Sequence, residues 1–332
     1  MKWLITGGCG FLGTSLITDL MAEGGHSVRI LDNLSVGNRT DLAKVCKFTE
    51  TTGSSLLPRD SSSEKNTSVE LIVGDILDEP LAVKVAKDMD VIVHLAANTG
   101  VGPSVENPRL DCVTNIIGIF NYLEAARHNK VKRFVFASSG APVGECTPPI
   151  HEELPAHPVS PYGASKLAGE GYCSAYYQTF GIETVALRFG NVYGPLSGHK
   201  NSAVAKFIRK AMNGEPIEIY GDGKQTRDFI YIGDLVRAVR LAASVEGIGG
   251  EVFQIATNAE TTVGELVELL LPILRQAGIE SVNINHSAPR LGDVMRNFSD
   301  TTKAGKILGW KPQTDLVAGL QKTIGWYFED HK

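Results

Sequence analysis

The chain has 332 residues, one large domain or two intimate ones at roughly 100–200 residues each, so its core needs no disulfide or metal staples. Hydrophobic residues make up 43% and charged residues 21%, which excludes a disordered chain. A formal charge of −5 offers no basic footprint, so nucleic acid and anionic membrane are excluded as main partners and a small-molecule enzyme is favoured.

In chain order, an apolar strand is expected at Trp3–Thr6, followed by Ile5-Thr6-Gly7-Gly8-Cys9-Gly10-Phe11-Leu12-Gly13 and a helix over Phe11–Glu23. Gly7 and Gly10 allow a tight turn and the approach of backbone to a pyrophosphate at the helix N-terminus, with Phe11 and Leu12 in the first turn. Gly13 lets helix and strand pack closely. A second strand, Val28–Leu31, runs into Asp32, where a carboxylate accepts adenosine ribose hydroxyls and repels a 2′-phosphate. NAD is therefore the expected cofactor, rather than NADP.

Thr49–Ser68, rich in Ser, Thr, Lys and Glu and carrying Pro58, reads as an exposed loop insertion. Further strands are expected at Leu71–Val73, Val91–Leu95, Phe134–Ala137 and Thr184–Phe189, and helices at Asn115–Asn129 and Tyr162–Phe180. The strands are continuous apolar runs, as when helices cover both faces of a parallel sheet. The fold class is α/β, a doubly wound parallel (Rossmann-type) sheet whose ligands bind at the carboxyl ends of the strands. After Gly190 the rhythm changes to helices and short strands broken by Gly and Pro, a smaller mixed α/β C-terminal substrate lobe. The expected division is 1–189 with about 228–256 for NAD, and 190–227 with about 257–332 for substrate.

Tyr162 and Lys166 stand i, i+4 at a helix start, a phenol and an ammonium on one face. A nearby cation is expected to lower the tyrosine pKa toward neutrality, as a general base requires. Ser139 follows its strand at a carboxyl end, where its hydroxyl can hydrogen-bond a reacting oxygen.

The five cysteines, Cys9, Cys46, Cys112, Cys146 and Cys173, are scattered without a C-x-x-C pair, so no metal site is expected. They read as buried small hydrophobes in a reducing compartment. The run Trp3–Ile5 enters a glycine turn at once and no stretch reaches ~20 apolar residues, so neither signal peptide nor membrane span is expected and the location is read as cytoplasmic.

The spacing G-x-x-G-x-x-G combined with Tyr162-Gly163-Ala164-Ser165-Lys166 resembles the extended short-chain dehydrogenase/reductase superfamily, over nearly the whole chain. Asp32-Asn33-Leu34 resembles the adenosine-ribose segment of its nucleotide-sugar epimerases. The resemblance implies that Tyr162 exchanges a hydroxyl proton, Ser139 polarises the same oxygen and Lys166 holds the nicotinamide ribose. Implied cofactor contacts are Asp75 and Ile76 beside adenine, Leu95, Ala96 and Ala97 after the fourth strand, and Asn115. In the resembling dehydratases Asp and Glu follow the catalytic threonine, and decarboxylases carry a Glu two positions beyond it. Here Gly140 and Ala141 stand there, and neither transfers a proton. What remains is reversible oxidation at one carbon: C4 epimerisation of a UDP-sugar, UDP-glucose and UDP-galactose or their N-acetylated forms, with a 4-ketoreductase or dehydrogenase and a UDP-glucuronate 4-epimerase as alternatives. Pro142 and Val143, where Val and Tyr are usual, imply an altered pocket wall.

For substrate, the resemblance assigns Asn191, Arg227 and Arg290 to the diphosphate, Tyr220 to the base and Asp293 to the nucleotide ribose. Asn297 takes the place of a gate for C2 substituents, where a small side chain leaves room. The resembling enzymes usually pair as homodimers through the helices that correspond to Asn115–Asn129 and Leu167–Phe180, which here carry Ile116, Ile119, Phe120, Leu123, Tyr172, Tyr176 and Tyr177; the same positions serve equally as core against the sheet.

Overall fold

A computed structural model describes residues 1–52, 68–289 and 294–330 of the chain. It begins with β1 (Lys2–Thr6), α1 (Phe11–Glu23), β2 (Ser27–Asp32), α2 (Arg39–Val45), β3 (Thr49–Thr52) and β4 (Val69–Val73). Next come α3 (Glu79–Val85), β5 (Val91–His94), α4 (Val101–Glu106), α5 (Pro108–Cys112), a π-helical turn at Val113–Ile117 and α6 (Gly118–Asn129). Then follow β6 (Arg133–Ser139), α7 (Pro161–Phe180), β7 (Glu183–Phe189), β8 (Asn191–Tyr193), α8 (Ala203–Met212), β9 (Ile217–Tyr220), β10 (Thr226–Arg227) and β11 (Phe229–Tyr231). The chain continues through α9 (Ile232–Ser244), β12 (Glu251–Ile255), β13 (Thr261–Thr262), α10 (Val263–Gln276), β14 (Ile284–Ser287), a π turn at Ala304–Leu308 and α11 (Leu316–Asp330).

An eight-stranded sheet runs in the order β12-β7-β6-β5-β1-β2-β4-β3. Pairing is parallel from β6 through β5, β1, β2 and β4 to β3. The order reverses at β1, which lies between β2 and β5, the switch point at which an α/β sheet binds a ligand outside its strand ends. β5 is buried throughout and β6 along all but its last residue, as the apolar runs require of strands covered on both faces. This is the expected doubly wound fold, and its strands extend a residue or two beyond several of the expected runs.

One expected element is corrected. Thr49–Thr52, assigned to a loop insertion, is a strand paired with β4, because every second side chain of an end strand need not be apolar. The rest of that insertion, residues 53–67, lies outside the described residues. α2 and α3, not anticipated, start at Asn38 and Asp78, whose side chains accept the backbone N–H of Asp41 and Leu81. The cysteines are also corrected: Cys9 and Cys173 are buried, but Cys46 and Cys146 are half-buried and Cys112 is exposed on α5.

Contacts divide the chain into two compact units. The first comprises Met1–Gly144, Pro155–Arg188 and Val239–Phe253; its core gathers Leu4, Leu31, Ile72, Ile92, Phe134 and Phe136 with Ile119, Tyr122 and Leu123 of α6. The second comprises Glu145–Leu154, Phe189–Ala238 and Gln254–Lys332, around Phe207, Ile208, Ile217, Leu266, Leu270 and Leu320. Glu145–Leu154 falls in the second unit, where sequence alone put it in the first, since Ile150 exchanges two backbone hydrogen bonds of 2.8 Å with Phe298 and Asp300. Residues 228–238 likewise fall in the second unit: Asp228 accepts hydrogen bonds from Thr257, Asn258 and Ser299, and Asp234 from Gln313 and Thr314. Among the described residues no helix is long and apolar enough to cross a membrane.

Candidate active site

The turn between β1 and α1 is built for close approach. Gly7 has φ +71°, and a Cβ there would lie 2.8 Å from the backbone N of Ala96. A Cβ on Gly13 would stand 2.4 Å from the Gly8 Cα, so only glycine lets α1 sit against the turn. The N-cap, Gly10, has no side chain to cap α1, which leaves the N-terminal N–H groups of a 13-residue helix at the turn, with Phe11 and Leu12 half-buried in its first turn. This cradle suits a pyrophosphate.

Asp32 closes β2. It is 7% exposed, and its two carboxylate oxygens accept the N–H of Cys9 (2.9 Å) and of Leu34 (2.8 Å). Those bonds fix its rotamer against the glycine turn, while burial pushes its pKa up. The Asn33 amide donates to Asp75 at 3.0 Å, tying the ends of β2 and β4. Asp75 is exposed, which leaves its side chain accessible to a ligand, whereas the Ile76 side chain is turned into the core, so that residue can meet a ligand only through its backbone.

Leu95, Ala96 and Ala97 are half-buried just beyond β5, where the Thr6 hydroxyl accepts the Ala96 N–H at 3.2 Å. Asn115, on the π turn, is buried. Its carbonyl accepts the Asn98 N–H at 2.7 Å, and its amide lies within 3.1 Å of the Asn98 carbonyl, Asp111 and the Ser165 hydroxyl. The expected cofactor contact is thus a staple joining the loop after β5 to α5 and α7. Sequence reasoning does not reach Asn98, Asp111 or Ser165. The one available signal is that Asp111 precedes Asn115 by four positions, which assumes a regular helix and not the π turn found there.

Ser139 ends β6, and α7 opens beside it with Ser160 capping the Gly163 N–H and Pro161 at its first position. The Ser139 hydroxyl accepts the Ala141 N–H at 3.2 Å and stands near enough to the Tyr162 phenol to oppose the rise of its pKa. Lys166 is buried; its Nζ donates to the Ala137 carbonyl at 2.8 Å and lies 4.9 Å from the Phe136 ring centre and 5.7 Å from that of Tyr162. The three predicted catalytic side chains therefore meet. The expected direction of the tyrosine pKa is corrected: burial pushes the phenol up to about 12. Lys166 lies over the ring face with its proton on a carbonyl, and burial pulls its own pKa down to about 8, against the opposing charges of Asp111 and Glu170. Val143 and Pro142 are buried.

The second unit holds a cavity of about 210 Å³. Asn191, Tyr220 and Arg227, three of the predicted substrate residues, line it, together with Ser202 at the start of α8, Lys206 and Glu218. The Tyr220 hydroxyl donates to Glu218 at 3.0 Å, and Lys206 Nζ lies 5.6 Å from the Tyr220 ring centre. Arg227 is pinned by two 2.7 Å bonds from Nη1 to the Thr226 and Val294 carbonyls. Asn297 is half-buried, its N–H on the Thr226 hydroxyl, and does not line this cavity. Arg290 and Asp293 lie outside the described residues. Lys206 and Glu218 are further candidates that sequence leaves among solvated charges. Among the described residues no cluster of His, Cys, Asp and Glu is arranged to hold a metal ion.

Comparison with known proteins agrees with this reading. Residues 3–256 match the NAD dependent epimerase/dehydratase family. The chain is 35% identical over 332 residues to UDP-glucose 4-epimerase of Mycolicibacterium smegmatis, covering 98% of each. The crystal structure of UDP-glucose 4-epimerase from Thermotoga maritima with UDP-glucose superposes with a TM-score of 0.87 at 33% identity, over 100% of both chains. That of UDP-glucuronic acid 4-epimerase from Bacillus cereus with UDP-glucuronic acid and NAD gives 0.86 at 29%, again over 100% of both. With the glycine cradle and the buried carboxylate of Asp32 both suited to the dinucleotide, NAD is the cofactor, and the chain belongs to the NAD dependent epimerase/dehydratase family.

Proposed function

We propose that the protein interconverts UDP-glucose and UDP-galactose by epimerisation at C4. The observation that carries this reading is the meeting of Ser139, Tyr162 and Lys166 at the end of β6, beside Gly140 and Ala141 where elimination needs carboxyl groups. NAD, when bound, supplies reversible hydride acceptance at the sugar carbon, so that the sugar passes through a 4-ketone. The glycine turn and Asp32 hold the dinucleotide, and Lys166 holds the nicotinamide ribose. Tyr162 carries the proton that the C4 oxygen loses and regains. As phenolate, Tyr162 takes the C4 hydroxyl proton when the sugar is oxidised; the phenol so formed, the state its burial favours, gives the proton back when the ketone is reduced. Ser139, beside that phenol, hydrogen-bonds the reacting oxygen.

The cavity lined by Asn191, Tyr220 and Arg227 takes the nucleotide end of the substrate, Tyr220 offering a ring to the base and Arg227 charge to the diphosphate. Binding energy drawn from this remote, unreacting group lets the sugar turn and present its other face while the ketone stays held. Arg290, Asp293 and Asn297 are assigned to the diphosphate, the ribose and the C2 side of the sugar.

The enzyme is proposed to be a homodimer through α6 and α7. Ile119, Leu123 and Tyr176, three of the positions expected there, belong to the core. Tyr172 and Phe180, in contrast, are exposed next to Phe120 and Tyr176 in a chain of edge-to-face rings. Sedimentation at micromolar concentration is expected to give twice the chain mass, and a monomer rejects the pairing.

The reading is tested by incubating purified protein with UDP-galactose, no NAD added, and following the anomeric protons by NMR. Appearance of UDP-glucose is expected, with the cofactor retained from expression. Absence of conversion even after addition of NAD overturns the hexose assignment. UDP-N-acetylgalactosamine and UDP-glucuronate, run in parallel, decide among the N-acetyl and uronate alternatives.

A further inference from the structure

The last three residues of β6 each hold one functional position of α7. The Ala137 carbonyl accepts Lys166 Nζ at 2.8 Å, the Ser138 hydroxyl donates to Glu170 at 2.5 Å, and Ser139 stands beside the phenol of Tyr162, near enough to oppose the rise of its pKa. Tyr162, Lys166 and Glu170 are spaced i, i+4, i+8, so they form a single stripe along the helix. The strand's side chains alternate in direction, yet Ser138 and Ser139 both reach α7, because β6 ends here and the chain turns away into Gly140.

Glu170 is the member of this stripe with no part in the proposed chemistry. Its carboxylate is clamped from a third element: Arg188, the penultimate residue of β7, donates through Nε at 2.8 Å and Nη2 at 2.7 Å, a two-pronged pair with both side chains only 5% exposed. The Arg188 Nη1 is buried with no hydrogen-bond partner among the described residues. A buried ion pair with an unsatisfied N–H is a poor device for stability, since apolar side chains of similar volume commonly do as well or better. What such a pair does supply is register: a slip of α7 along β6 breaks two charged bonds and one hydroxyl bond together.

We propose that Glu170, clamped by Arg188 and Ser138, is a positioning residue that sets the register of α7 on β6 and thereby holds Lys166 on Ala137 and the Tyr162 phenol beside Ser139. The inference rests on the roles proposed above for Tyr162, Ser139 and Lys166. A displacement of about 1 Å in such a group costs on the order of 100-fold in rate without touching remote binding.

The test replaces the pair by apolar groups of similar size, Glu170→Leu/Arg188→Met, and measures thermal midpoint, kcat and KM for UDP-galactose. The expected result is a folded protein with near wild-type midpoint, kcat lower by about 100-fold and KM within about twofold. Wild-type kcat in the folded double variant, or a raised KM at unchanged kcat, overturns the proposal. Ser138→Ala removes a single bond and leaves the ion pair in place, so it decides the matter if the double variant does not fold. About tenfold lower kcat at unchanged KM is expected, and full turnover overturns the proposal. Tyr162→Phe runs alongside: if it keeps its rate, the assignment of the base fails, whereas its loss together with full turnover in the other two variants sinks only the role of Glu170.

Discussion

Lys166 exists as a cation at neutral pH against the pull of its own burial. With its pKa pulled down to about 8, it loses the charge just above the physiological range. Turnover that depends on that ammonium is expected to fall as pH rises through about 8, which a kcat profile from pH 6 to 10 checks. The linked effect on stability has the opposite sign. Between about pH 8 and the ordinary lysine value of 10.5, the unfolded chain binds the extra proton, so this group's contribution to stability improves with rising pH. For Tyr162 the expected outcome of Tyr162→Phe is a loss of 10²–10⁴-fold in kcat, the usual worth of a positioned acid or base, with NAD content unchanged. Absorbance of NAD released on denaturation measures the second part. The residue identities at this site were legible because an i, i+4 pair beside a strand end is a local pattern. The pKa of Tyr162 was not, since spacing along a helix says nothing of desolvation or of the Ala137 carbonyl that accepts the lysine's hydrogen bond.

At the scale of elements, the strands were readable wherever both faces are covered, since an unbroken apolar run such as Val91–His94 has few other interpretations. Thr49–Thr52 was unreadable for the converse reason: Thr-Glu-Thr-Thr carries no apolar signal, and only its pairing with β4 makes it a strand. The π turn at Val113–Ile117 is likewise invisible in sequence, although it rotates Asn115 into reach of Asn98, Asp111 and Ser165 at once. The glycine turn, by contrast, carried its geometry openly. Gly13→Ala is expected to drive a methyl into the Gly8 backbone at 2.4 Å, costing about 1–3 kcal/mol and weakening NAD binding roughly 10- to 100-fold, as isothermal titration of the cofactor-stripped protein checks. Affinity equal to wild type contradicts the packing role of that glycine.

At the scale of the whole molecule, His94 makes the fold sensitive to acid. It ends β5, 2% exposed, stacked near Phe134 and Phe136 and bonded to the Thr6 hydroxyl at 3.0 Å. Burial and the neighbouring Lys166 pull its pKa down to about 3. Between that value and the ordinary 6.5 the unfolded chain binds a proton that the folded one refuses, so stability falls with pH through this window. At pH 5 the loss from this group is about 2 kcal/mol relative to pH 7, to be read as a lower denaturation midpoint in urea. Sequence placed His94 in a strand but offered no means of telling a neutral core imidazole from a titrating one.

The end of the sheet at β3 bears on how the protein avoids coalescing with its own copies. A terminal strand presents a row of backbone groups that another chain can extend. Here that strand holds Glu50, whose carboxylate is gripped at 2.8 Å by both Nε and Nη2 of Arg39. An incoming strand has to bury or break a charged pair on a polar Thr-rich rim, which makes growth of the sheet from one molecule to the next unfavourable. Glu50→Val is expected to leave turnover intact and to raise light scattering on prolonged warming, the charge at this rim being a guard against aggregation.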